Sequence, residues 1–182
     1  AADPTNAAHL AVVWSDMRNS TLPAPTNPYA AVTNSDVIVS QSFDRGRTWT
    51  TAAALTLPGD QFMPWGAYDA NGFLRIGTFD RQYDAANHSY GYTLANESGS
   101  GTLVFSTTQL TTALSNPTTG NRWFAATVNP SFPFATTFLG DYSNIAVKPS
   151  GGIVAYWTDL RLQACFAGVC RHGQDAFFAS AP

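Results

Sequence analysis

The sequence predicts an all-β chain built from repeated four-stranded antiparallel units, and three observations carry the prediction. Apolar residues alternate in short runs of strand length, the clearest being Leu10 to Trp14, Asp36 to Ser40 and Gly152 to Trp157. An aromatic-x-Asp element carrying an arginine recurs at the ends of such runs. No window sustains a capped apolar period of 3.6 residues, so the only helical expectation is a brief turn over Thr107 to Leu114.

In chain order, Ala1 to Asn6 reads as the end of a first strand and its turn, so the first unit, about 1–57, lacks most of its opening strand. Trp14-Ser15-Asp16-Met17-Arg18 matches Trp157-Thr158-Asp159-Leu160-Arg161 position by position, and Thr78-Phe79-Asp80-Arg81 is a weaker copy between them. A second element, Phe62 to Asp69 and again Phe138 to Val147, precedes the last two copies. Each is followed by hairpin-closing residues, Ala70-Asn71-Gly72 and Pro149-Ser150-Gly151-Gly152. One full unit occupies about 60–112, and a last one, about 136–182, stops after a third strand over Asp175 to Ser180.

That unit has the length of a four-stranded propeller blade, so residues 1–182 read as a single partial β-propeller, an incomplete arc of about three blades. Blades bury both faces against neighbours, and an open arc leaves two apolar faces in water. The expected partner is therefore a second copy of the chain or a missing propeller segment. A β-sandwich of similar strand count is the competing architecture, and it leaves the long repeats unexplained.

Composition narrows the setting. With 45% hydrophobic and only 12% charged residues, the chain can fill a substantial core and must cover its surface with uncharged polar groups. The net charge is −3, Lys148 is the single lysine and the arginines never cluster, which excludes a nucleic-acid stripe. No apolar run approaches the about 20 residues of a membrane span, and the start lacks the pattern of a signal peptide.

Cys165 and Cys170 are the only cysteines, spaced to close a short disulfide loop between two strands, which implies export to an extracellular location. Zinc would need two further ligands, and His172 is the only one at hand. His9, His88 and His172 read as isolated surface or loop residues, and no serine stands in a G-x-S-x-G setting. Asn19-Ser20-Thr21, Asn87-His88-Ser89 and Asn96-Glu97-Ser98 are glycosylation sequons, relevant only in a eukaryotic source.

One motif is highly specific. Ser42-Phe43-Asp44-Arg45-Gly46-Arg47-Thr48-Trp49 fits S-x-D-x-G-x-T-W at every fixed position. Asp44 can accept from turn amides, Gly46 can supply a positive φ, and Trp49 can pack back between units. A degraded copy stands at Ala95 to Thr102. The motif is the Asp box, or bacterial neuraminidase repeat, and over nearly its whole length the sequence resembles sialidase-like propellers.

The resemblance implies that the box joins the third and fourth strands of a blade, away from the active face, so that Ser42, Asp44, Gly46, Thr48 and Trp49 are structural. It also implies an opposite mouth where Asp16, Arg18, Asp80, Arg81, Asp159 and Arg161 converge with Asp60, Gln61, Asp141 and Tyr142, rimmed by loops 19–35, 82–88 and 162–174.

For an exo-sialidase, the resemblance implies an arginine trio, Arg18, Arg81 and Arg161, holding a sugar carboxylate beside Asp16 and Asp159. Tyr142 would be the nucleophile and Asp141, Asp80 or Asp16 the acid. Glu97, the sole glutamate, is expected in a turn on the wrong face, so a Tyr-Glu pair is absent. The alternative is a non-catalytic module for glycan binding, adhesion or extracellular assembly, in which Asp and Arg latch neighbouring blades. No cofactor is expected. Calcium on the same aspartates would be the exception, but no D-x-D-x-D-G run is present.

Overall fold

The computed structural model describes residues 1–20, 34–117, 140 and 142–182. Among them the chain is all-β, with no helix, and its strands form antiparallel sheets in chain order. The first sheet holds β1 (Ala2–Asp3), β2 (Asn6–Asp16), β3 (Asp36–Ser42) and β4 (Ala53–Ala54). The middle sheet holds β5 (Gln61–Tyr68), β6 (Leu74–Asp80), β7 (Gly91–Glu97) and β8 (Phe105–Gln109), likewise as a simple meander.

A third sheet is formed by β9 (Asn144–Val147), β10 (Ile153–Asp159) and β13 (Asp175–Ala181). Between its last two strands projects a hairpin, β11 (Gln163–Phe166) and β12 (Val169–His172), closed by the Cys165–Cys170 disulfide across directly paired positions.

Alternation decides which side chains meet. Along β2, His9 and Ala11 are buried while Val12 on the other face is half open. Ala11, Val37, Val39 and Leu55 of the first sheet form one core with Leu74, Ile76 and Ala95 of the middle sheet. The opposite face of the middle sheet gives Phe79, Tyr90, Tyr92 and Leu94 to a second core with Ile145, Ile153, Ala155 and Trp157 of the third. In that core the Tyr92 and Trp157 rings stack at 5.2 Å. The sheets thus follow one another with a core on each side of the middle one, and they are not two layers enclosing a single interior.

Two glycines mark close approaches. Gly77, in β6, sits where a Cβ would lie 2.5 Å from Ile145 Cγ2 and from Tyr92 Oη, so its bare backbone is what lets the third sheet seat. Gly72, at φ +77°, turns the β5–β6 hairpin beneath Asp3 and Thr5.

The expected helical turn at Thr107 to Leu114 is not formed. Thr107, Thr108 and Gln109 belong to β8 and pair with Ala95, Leu94 and Thr93, because β-branched threonines suit a pleated edge and β7 offers an open ladder.

Candidate functional site

The aspartates singled out from the sequence close the second strand of each sheet, Asp16 in β2, Asp80 in β6 and Asp159 in β10. Each turn is built the same way. The amide two residues on donates to the aspartate Oδ1, from Arg18 at 3.0 Å, Gln82 at 2.9 Å and Arg161 at 2.9 Å. This is a side chain mimicking a backbone turn.

The remaining carboxylate lone pairs are filled locally. Trp14 Nε1 donates to Asp16 at 2.8 Å, and Trp157 Nε1 to Asp159 at 3.2 Å. Arg18 and Arg161 then fold back on those same carboxylates, each closing at 2.6 Å. Around Asp80 the partners differ in kind but not in place: Gln82 stands where the arginines stand and its amide donates to Asp80, while Thr93 and Gln61 supply bonds of 2.7 and 3.2 Å. Arg81, one position early, leaves this turn, pairs with Asp60 at 3.1 Å and lies over the Phe62 ring.

Arg18 and Arg161 are thus each held by the aspartate that closes their own strand, and Arg81 by Asp60 at the start of β5. Among the described residues, a two-residue spacing after the strand end brings the Arg18 and Arg161 guanidinium groups back to their own turns. Arg161 also reaches Thr112 Oγ1 at 2.8 Å and the Ala113 carbonyl at 3.3 Å, in the segment after β8.

Serines stitch the sheets at this end instead. Ser35, just ahead of β3, exchanges backbone and side-chain bonds with Asp60 and Gln61 at the start of β5. Ser115 donates to Asp159 at 3.1 Å and accepts from the Leu160 amide at 2.9 Å.

The electrostatics follow. Hydrogen bonds from Arg18 hold Asp16 at about 2. For Asp159, burial opposes ionisation, but the Arg161 bonds outweigh it and the carboxyl stays below its ordinary range. Asp36 moves upward, pushed by burial, eased by Asn19, and pushed further by Asp16 and Asp60. Among the described residues no His, Cys, Asp or Glu group of three is arranged to hold a metal ion.

The expected nucleophile, Tyr142, is 75% exposed, and Asp141 lies outside the described residues, as does most of loop 19–35. Loop 162–174 is the β11–β12 hairpin.

Glu97 stands at the other end of its sheet, as expected, but it is the last residue of β7 rather than part of a turn. It is buried, accepting from Gln41 Nε2 at 3.1 Å, Leu74 N at 3.0 Å and Leu103 N at 3.2 Å.

The Asp-box residues link β3 to β4. Asp44 accepts from Thr48 N at 2.8 Å and Thr48 Oγ1 at 2.6 Å, which hold it at about 2, and Ser42 Oγ accepts from Gly46 N at 2.8 Å. Gly46 has φ +83°; the degraded copy after β7 keeps that feature as Gly101, φ +75°, likewise four residues past its strand end. Trp49 departs from expectation: it is 43% exposed and donates to the Gly46 carbonyl at 3.1 Å, closing its own turn rather than entering between sheets.

His9 is a second departure. It is buried, with Nδ1 2.9 Å from Asp3 and Nε2 2.9 Å from Tyr68 Oη, and stacks on Phe43 at 4.6 Å. Period-2 alternation in β2 places it inward beside Ala11, a signal already present in the sequence. Both ring nitrogens are satisfied when Nδ1 carries the proton and the Tyr68 hydroxyl donates to Nε2. Burial, with Glu97 and Asp3 nearby, pushes the Tyr68 hydroxyl upward, so it keeps its proton. Sealed from solvent, this relay joins β1, β2 and β5.

A cleft of about 330 Å³ lies between β2 and β5, lined by Ala1, Ala11, Val12, Val13, Pro64, Trp65 and Gly66. Its lining is apolar, and Trp65 is 44% exposed.

Comparison with protein-family models gives no match, and comparison with curated proteins gives none either.

Proposed function

We propose that the three sheets are successive blades of a sialidase-like Asp-box propeller and that the chain serves as a secreted, non-catalytic binding and assembly module. The observation that carries this reading is that Arg18, Arg81 and Arg161 are each ion-paired with an aspartate, Arg18 and Arg161 with the one that closes their own strand and Arg81 with Asp60 beside β5. A carboxylate clamp needs its donors unspent. Repetition supports the same reading, since the same turn recurs in each sheet, whereas a reacting centre is needed once.

The Asp box between the third and fourth strands of the first sheet, and its positive-φ relic at the matching place in the middle sheet, support the propeller reading. The disulfide is compatible with an extracellular location. Tyr-Glu chemistry has no support in this chain, because its one glutamate is buried at the opposite end from the arginines.

The test is hydrolysis of a fluorogenic sialoside by the folded chain. No turnover above buffer is expected. Turnover that is abolished by Tyr142→Phe with the fold unchanged would overturn the reading.

A further inference from the structure

Asn71 is the one asparagine of the sequence that is followed by glycine. It sits at the tip of the β5–β6 hairpin, where Ala70 and Asn71 are exposed and the turn is built on Asp69. The Asn71 and Phe73 amides both donate to Asp69 Oδ1, at 2.8 and 3.0 Å, and Asp69 Oδ2 is paired with Arg75. Only the backbone of Asn71 is engaged in this way; its side-chain amide makes no hydrogen bond among the described residues.

Asparagine is chemically labile, and a carboxamide so placed has a nucleophile next to it in the chain. The Gly72 nitrogen can close an imide ring on Asn71 Cγ, and glycine has no side chain to block the approach. What that nitrogen gives up is one hydrogen bond, 3.1 Å to the Asp69 carbonyl, at the long end of the N–H···O range.

Attack by the deprotonated Gly72 nitrogen forms the new C–N bond and expels the side-chain nitrogen of Asn71 as ammonia, which takes its proton from water. Water then opens the imide. Opening at the side-chain carbonyl leaves an ordinary aspartate. Opening at the main-chain carbonyl leaves an isoaspartate, whose backbone runs through Cβ and Cγ and is longer by a carbon.

The longer backbone matters because of what lies against Gly72. A Cβ there would stand 2.8 Å from Asp3 Oδ2 and 3.0 Å from Thr5 Oγ1, so the Asp3 turn of the first sheet is seated on bare backbone of the middle one. Asp3 is fixed in that seat by bonds of 2.7 Å from both Thr5 N and Thr5 Oγ1, and by His9 Nδ1 at 2.9 Å. A carbon inserted just before Gly72 shifts the glycine in a seat without clearance, and the new carboxylate adds negative charge near Asp3 and Asp69. Both effects oppose the contact between the first and middle sheets.

We propose that Asn71 is a site of spontaneous modification, converting through a cyclic imide to aspartate and isoaspartate, and that the isoaspartate form has a loosened junction between the first and middle sheets. The site involves neither the strand-end arginines nor a sugar, so it stands or falls separately from the proposal of a non-hydrolytic module.

The experiment is storage of the folded 182-residue chain in mildly alkaline buffer, followed by peptide mapping with mass spectrometry and labelling by an isoaspartyl methyltransferase. Conversion is expected to concentrate in the peptide that holds residue 71 and to accelerate in proportion to hydroxide concentration. It should vanish from that peptide in Asn71→Gln, whose longer side chain closes the ring poorly. Fractions rich in isoaspartate, resolved by ion exchange, should unfold at lower urea concentration than the parent, and Asn71→Asp, which adds the charge alone, should lose less.

Near-ultraviolet circular dichroism checks that parent and variants stay folded during storage. Should Asn71→Gln fail that check, Asn71→Ser replaces it, with the same absence expected. A residue 71 that stays unconverted, or converts no faster than the other asparagines, overturns the modification site. An isoaspartate fraction as stable as Asn71→Asp overturns the loosened junction.

Discussion

Gln41 Nε2, in the first sheet, donates a 3.1 Å hydrogen bond to Glu97 Oε1 in the middle sheet, and both residues are closed to solvent. Glu97 also accepts the Leu74 and Leu103 amides, so three donors from both sides of the interface depend on one carboxylate. Removing an acceptor strands buried donors, which is worse than never having had them. Glu97→Ala is expected to lower the unfolding free energy by about 3–5 kcal/mol. Glu97→Gln, which keeps a carbonyl, should lose about 1–2 kcal/mol. Urea unfolding of the two variants checks the order.

Gly77→Ala tests the seat of the third sheet. A methyl group 2.5 Å from Ile145 Cγ2 and Tyr92 Oη has nowhere to go without moving β9 or the tyrosine. Overpacking of this sort costs about 1–3 kcal/mol. Calorimetry should show the loss, and it should be smaller when Gly77→Ala is made in an Ile145→Ala background, which lacks the Cγ2 methyl.

The pH dependence has two signs. Asp16, Asp44 and Asp84 are held at about 2 against an ordinary 3.8, by Arg18, by Thr48 and by the Ser89 and Ala86 amides in turn. Their contribution is complete above about pH 4 and disappears as the pH falls toward 2. Thermal unfolding should therefore show a steep acid decline, made shallower in Asp44→Asn.

Asp36 acts in the other direction. Its proton is bound more tightly in the folded chain, because of burial with the Asp16 and Asp60 charges nearby, so its contribution is greatest in acid and is lost as the pH rises past its raised value. Asp36→Asn is expected to raise the melting temperature at neutral pH and to leave it unchanged in acid. A pH series of melting curves on the pair of proteins checks both halves.

Much of this architecture could be read from the sequence, because strand alternation and strand-end chemistry are local. The run Asp36 to Ser40 became β3, Gly152 to Trp157 became most of β10, and Asp44 and Gly46 took the turn roles their residue types demand. Non-local partners were not legible. The alternation of β2 turns His9 inward, but its buried partners Asp3 and Tyr68 are 6 and 59 positions away, and the second of them no local pattern reveals. Gln82 falls outside the aromatic-x-Asp-x-Arg pattern because an amide in place of an arginine breaks the motif by type while keeping its hydrogen bonds. Trp49 was expected inside because tryptophan is bulky and apolar, but its indole N–H found the Gly46 carbonyl.

The central claim is that the strand-end arginines are structural rather than substrate-holding, and Arg161 tests it most directly. Its carboxylate partner Asp159 is 1% exposed, and the guanidinium also ties down Thr112 and Ala113, so Arg161→Ala should cost about 3 kcal/mol of unfolding free energy. Arg18→Ala, at a site where the arginine is 48% exposed, should cost far less. Chemical denaturation of the two variants beside the parent is the measurement. A large loss for Arg161 with little for Arg18 is predicted; an Arg161→Ala chain as stable as the parent, with lost affinity for a sialoside, would contradict the account.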